Sequence, residues 1–193
     1  MRAGEFGDPP WDDPIDEAAI LRAIPVDSTI KGMFLLPLIE LARKQGIDLG
    51  LTRERYLPFG DYPVREHAHA LHAIAHGVFP HVSIRKGLRR LGHPVVDTLR
   101  ATTVGRVVWS GASDLGAALH ALSTAYTLTC SRARASIVEL EPDHAIVRFD
   151  DVHWFLDSHH VGVCEGVLGA CGVKGTVRIR MATPYSAEFL CTW

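Results

Sequence analysis

The sequence predicts an α+β fold, in which a bundle of about five N-terminal helices packs beside a small antiparallel sheet made of two hairpins separated by a helix. Three observations predict it. Up to about residue 130 the apolar residues recur at helical spacing, after residue 131 they alternate, and the alternating runs come in pairs around turn residues. The 193 residues suit one domain with ample core, assigned to 15–193, behind a flexible tail over 1–14 that is rich in Gly, Pro and Asp.

The elements follow in order. "DEAAILRAI" reads as a short helix stopped by Pro25. Asp27 and Ser28 cap a longer helix, "STIKGMFLLPLIELARKQG", which ends at Gly46 with Arg43 and Lys44 in its last turn, where cations suit the helix dipole. That helix is apolar almost all round and therefore central. "IDLGLTRERYLPFGDYP" has Gly and Pro punctuation without a period and reads as a connecting loop. A histidine-rich helix follows Pro63. Next come "SIRKGLRRLG", capped by Ser83, and one helix over 93–111 with Pro94 in its first turn. Ser113 or Asp114 then caps "LGAALHALSTAYTLT". "RASIVELEPDHAIVRFDDV" is a hairpin around "EPDH", a helix spans about 157–171, and "GTVRIRM" pairs with "AEFLCTW" around "ATPYS".

Composition narrows the function classes. A formal charge of −2 provides no basic field for a nucleic-acid backbone or an anionic membrane surface. The apolar runs are too short to span a bilayer, and "MRAGEFGDPPWDDP" has no signal-peptide pattern, so a cytoplasmic protein is expected. Cys130, Cys164, Cys171 and Cys191 lie far apart with no C-x-x-C pair and read as four reduced, buried thiols.

"REHAHALHAIAHGVFPH" poses the sharpest chemical question. At about 100° per residue, Arg65, His69, His72 and His76 form one stripe pointing away from the core, while His67 falls among the apolar residues. Imidazoles at i, i+3 and i+7 can approach one transition metal, so His69, His72 and His76 are candidate ligands. The competing reading is a solvated polar face, because neither H-E-x-x-H nor a Cys pair accompanies them. His67 reads as a neutral core imidazole making one or two hydrogen bonds.

Other groups read as structural. His160 and Cys164 stand one helical turn apart, but the crowding of Gly162, Gly166, Gly169 and Gly172 points to close packing instead of a nucleophile. Asp150, Asp151, Asp157, Glu139 and Glu141 are turn and surface carboxylates. Arg85, Lys86, Arg89 and Arg90 form a short basic face suited to an acidic partner surface. No phosphate-binding glycine motif occurs.

Several segments carry a family resemblance. Lys31 and Gly32 at a helix start, the turn at Phe79 and Pro80, Leu91 and Gly92, then Thr103, Gly105 and Arg106, and finally Gly162, Glu165 and Gly166 occur in an order that resembles a myxobacterial domain-of-unknown-function family over roughly 28–193. That family is distantly similar to a superfamily of haem-nitric-oxide-binding domains, vinyl-reductase-like sensor domains and Bet-type TRAPP subunits. The resemblance implies helices beside a small antiparallel sheet, an apolar pocket, and a sensor, ligand-binding or scaffolding role, dimeric and not enzymatic. "YTLTCSR" from Tyr126 does not reproduce the Tyr-x-Ser-x-Arg element of the haem-binding branch.

The expectation is thus a non-catalytic, homodimeric protein binding a small apolar ligand or a protein partner, with Phe34, Leu35, Leu38 and Trp109 lining the pocket. The rival is a metal- or tetrapyrrole-dependent protein using His67 or His69, His72 and His76. A third reading has the C-terminal strand extending a partner's sheet.

Overall fold

Pro37 decides where the central N-terminal helix can begin. In a helix starting at Ser28 it would sit in the interior, break a hydrogen bond and clash with the preceding turn. In the computed structural model, which describes residues 4–53, 55–110, 112 and 114–193, α1 (Glu17–Ala23) is followed by strand β1 (Thr29–Lys31), a 3-10 turn (Gly32–Phe34) and only then α2 (Leu35–Gln45). Pro37 therefore falls in the first turn of α2, where it is tolerated. The early start expected at Ser28 is corrected by long-range pairing. β1 runs antiparallel to β2 (Asp61–Pro63), with Ile30 opposite Tyr62. Thr29 N donates to Ser131 Oγ (2.8 Å) and Ser131 N to Thr29 O (3.0 Å). A Cβ on Gly32 would lie 2.2 Å from Leu57 O, so no other residue fits there. At the far end Gly46 caps the helix as expected, in the left-handed region at φ 68°.

α3 (Val64–Val78), α4 (Ile84–Gly92), α5 (Val95–Ala101), α6 (Thr103–Trp109) and α7 (Leu115–Thr129) complete the bundle. Seven helices thus stand where about five were expected, among the described residues. One cause is Thr102, which divides the single helix expected over 93–111. Its extended backbone (ψ 161°) ends α5, and its hydroxyl accepts from Gly105 N (2.9 Å) to open α6. Asp114 caps α7, with its carboxylate accepting from Ala117 N at 2.8 Å. The alternative cap Ser113 and the Gly111 end of the expected helix lie outside the described residues.

The hairpins form as read: β3 (Arg134–Leu140) with β4 (His144–Asp150), then α8 (His159–Ala170), then β5 (Thr176–Thr183) with β6 (Ser186–Thr192). Strand order is β3-β4-β6-β5, antiparallel throughout. The C-terminal strand β6 is therefore interior and presents no edge to a partner, which corrects that expectation. Phe149 and Phe189, their ring centres 4.8 Å apart, fill the inner face of the sheet beneath α7 and α8.

α8 is apolar nearly all round because it is covered over most of its surface, Gly169 being the exposed position. A Cβ on Gly162 would lie 2.0 Å from Arg89 O and one on Gly166 2.3 Å from His93 O, so the glycines allow α4 and α8 to touch backbone to backbone. Glu165 closes this seam with two bonds from Arg89, each 2.6 Å, and one contact from His93 at 2.9 Å.

The residues expected as a flexible tail lie against the fold from residue 4 onward. Gly7 pairs with Ile179 of edge strand β5 through two backbone bonds of 3.0 and 2.9 Å. Arg89 stacks over Trp11 and Arg180 over Phe6, at 4.9 and 4.3 Å from the ring centres. This segment also meets the basic face assigned to an acidic partner. Lys86 pairs with Asp12 at 2.6 Å, Arg85 with Asp157, and Arg90 covers Phe79 at 5.2 Å. Among the described residues no helix is long and apolar enough to cross a membrane.

Candidate functional site

Apolar helices of unequal length leave a gap where they meet. An apolar cavity of about 130 Å³ lies between α2, α3, α5, α7 and α8, closed on one side by the segment joining β4 to α8. Phe34, Leu38, Leu71, Leu99, Leu122 and Val163 form much of its wall. Of the four residues expected to line a pocket, Phe34 and Leu38 do so. Leu35 points the other way, into a cluster with Tyr56 and Tyr62, because neighbouring positions on a helix lie about 100° apart. Trp109 packs beside Met33, Leu99 and Ala125 and is not part of the wall.

The polar part of the wall extends beyond His67, the one member that the sequence offers as a buried imidazole and cofactor ligand. His67, Trp154, His159 and His160 all line the cavity, and none is more than 4 % exposed. The segment before α8 places three of them. Phe155 adopts a left-handed backbone (φ 42°), a conformation costing a bulky residue on the order of 1–2 kcal/mol. Its carbonyl gathers the hydrogen bonds that hold the bend, accepting from Ser158 N (3.2 Å), His160 N (3.4 Å) and His160 Nδ1 (3.3 Å).

That last bond fixes a tautomer. A carbonyl only accepts, so Nδ1 of His160 carries the proton and, in the neutral ring, Nε2 presents a bare lone pair. This Nε2 has no partner, and the same holds for Nδ1 of His67, both ring nitrogens of His159 and the indole Nε1–H of Trp154. The rings stand together: Trp154 and His160 are 5.3 Å apart centre to centre, His159 and His160 5.3 Å, His67 and His159 6.2 Å. Burial holds all three imidazoles neutral, pushing His67 down to about 3, His160 to about 4 and His159 well below its ordinary range. His67 was expected to be buried and hydrogen-bonded. It is buried, but its Nδ1 is unpaired.

The histidine stripe on α3 faces a different environment. His69 and His72 each direct Nδ1 to the Glu17 carboxylate of α1, at 2.8 and 3.0 Å, and His76 is exposed one turn further on. α1 therefore lies over part of a face expected to be open. Among the described residues no three His, Cys, Asp or Glu side chains are grouped to hold a metal ion. His160 and Cys164 do not form a reactive pair. Cys164 is bonded to Cys191 by a hydrogen bond, and that contact together with burial drives its thiol well above the ordinary range.

Across the bend from the cavity, a larger groove of about 410 Å³ runs between α1 and residues 152–157. Its charged wall is occupied by the Arg85–Asp157 pair. The apolar cavity is the better candidate, because most of the unpaired buried polar atoms among the described residues belong to side chains that line it. The sequence pattern did not single out Trp154 or His159 for this wall, and it placed His160 only beside Cys164. The available signal was a histidine pair opening an otherwise apolar helix, "WFLDSHHVGV".

Comparison with known proteins places this geometry in context. Residues 23–193 match the family model described as protein of unknown function (DUF2378). No curated protein matches the sequence. Similar solved structures include an Fe(II) unliganded H-NOX protein from K. algicida, at 12 % identity and a TM-score of 0.63, covering 84 % of this chain and 96 % of that one. A point mutant of T. tengcongensis H-NOX aligns at 13 % identity and 0.65, covering 84 % and 97 %. An S. oneidensis H-NOX protein in the Fe(II)NO ligation state aligns at 12 % and 0.59, covering 84 % and 98 %. At these identities the likeness is one of fold.

Proposed function

The chain belongs to the DUF2378 family, and within it we propose a non-catalytic, ligand-binding sensor domain that holds a compact apolar molecule in the cavity between α2, α5, α7 and α8. The observation that carries this reading is the cavity itself, walled mainly by apolar side chains and set between the packed helices of the core. Its volume is close to that of an engineered cavity of about 150 Å³ that takes up benzene. The H-NOX fold supports a sensor role by likeness. Relay to a partner, a homodimeric state and a cytoplasmic setting accompany the reading as proposals.

Some of the similar structures are described by their Fe(II) and NO states, and another by haem redox potential and porphyrin distortion. The neutral imidazoles of His67, His159 and His160 have the donor chemistry for an iron. The space as it stands is far smaller than a macrocycle of four pyrroles, so a tetrapyrrole would require the lining side chains of α2, α5 and α7 to move apart.

The test is a pair of titrations on protein purified without a histidine tag. Benzene is expected to raise the melting temperature and shift the NMR signals of Leu38 and Leu122, as a ligand specific to the folded state must. Hemin is expected to give no stoichiometric Soret band. A one-to-one Soret band lost in His160→Leu would replace this reading with the tetrapyrrole one.

A further inference from the structure

We infer that the ligand of this cavity carries a hydroxyl group on its compact apolar body, and that Trp154 and His160 read it from its two sides. The inference rests on the cavity reading above and adds the chemical class of the ligand. Buried polar groups are normally paired, and each one left bare costs about 1–3 kcal/mol. Four side chains around one void carry such groups. Bare groups so concentrated call for a partner that the chain does not supply.

The donor and acceptor pattern selects the partner. Trp154 offers Nε1–H, which can only donate. His160 offers Nε2, which can only accept, because its Nδ1 proton is committed to Phe155 O. The centres of the two rings are 5.3 Å apart, and both rings line the cavity. A hydroxyl accepts from the indole and donates to the imidazole. His159, next to His160 with both ring nitrogens unpaired, has a proton for the oxygen's second lone pair.

Other heads fail on this pattern. A ketone accepts from Trp154 but leaves the His160 lone pair bare. A carboxylate cannot donate, and it would bury a charge among imidazoles that their surroundings keep neutral. An ammonium would bury the opposite charge with no carboxylate among the lining residues.

Binding of phenol, cyclohexanol, benzene and benzoate to the full chain, followed by NMR titration and by melting temperature, tests this. Phenol or cyclohexanol, or both, are expected to bind about tenfold more tightly than benzene, the effect of a satisfied buried hydrogen bond. Benzoate is expected not to bind. In Trp154→Phe, which keeps an aromatic wall without the N–H, alcohol affinity falls several-fold toward that of benzene, the bond to His160 remaining, while benzene affinity holds. A preference for phenol over cyclohexanol marks an aromatic ligand, and the reverse an aliphatic one. The wild-type ranking decides even if the variant does not fold. Benzene binding as tightly as both alcohols overturns the hydroxyl assignment and leaves the cavity reading standing. Binding by none of the four overturns both.

Discussion

Two groups of histidines in this molecule start from the same side chain and arrive at opposite chemistry. His69, His72 and His76 sit along the outer face of α3, where Glu17 accepts from the first two and His69 is still 41 % exposed. His67, two residues before His69, turns inward and joins His159 and His160 in the wall of a cavity, where ring nitrogens are left bare. In the outer group His76 is exposed and His69 partly so, while His72 is mostly covered, held below its ordinary range by burial, and has Glu17 as its partner. The inner group is costly as it stands, and that cost marks the cavity as a site.

Acid sharpens this contrast most. Burial pushes His67 down to about 3 and His160 to about 4 in the folded chain, against about 6.5 in an unfolded one. With the folded values depressed, the unfolded state binds more protons as pH falls below about 6.5, so stability is lost downward through that window and fully present above it. Each such histidine contributes a slope on the order of 1.4 kcal/mol per pH unit. With His159 shifted the same way, denaturant melts should show the protein losing several kcal/mol between about pH 6.5 and 5. A flat profile there would show that these imidazoles are hydrated.

A smaller effect comes from deleting bare nitrogens. His159→Leu keeps an apolar body of similar size and removes two unpaired polar atoms, so the ligand-free protein should gain about 1 kcal/mol in chemical denaturation and lose about a third of its acid slope. Loss of stability instead would mean that His159 has a partner in solution.

The smallest effect is expected at the outer stripe. Glu17→Gln weakens both imidazole contacts, but partly exposed contacts of this kind contribute little, so thermal unfolding should register under about 1 kcal/mol and benzene binding should not change. A change in benzene affinity would join the two groups, through the stacking of His72 on Phe155 at 6.3 Å.

Legibility in the sequence follows the range of the interactions involved. The stripe and the inward turn of His67 were readable because both depend on the helical period alone. The role of His159 and His160 was not, since their surroundings come from α3, α7 and a bend whose left-handed Phe155 no local pattern announces. Leu38 meets the cavity and Leu35 does not for a related reason: a helix apolar all round does not show which of its faces meets a void.

By itself the sequence determined the elements governed by neighbours a few residues apart: the caps at Ser83 and Gly46, the hairpins around "EPDH" and "ATPYS", and the order of helices, hairpin, helix and hairpin. Tertiary structure decided what depends on partners far along the chain. It drew Thr29–Lys31 out of a helix into a strand against residues 61–63, laid residues 4–14 over β5 and α4, and brought residues 67, 154, 159 and 160 around one cavity. Capping and periodicity act within a turn or two of chain, whereas a cavity is what remains after distant helices have packed as closely as their side chains allow.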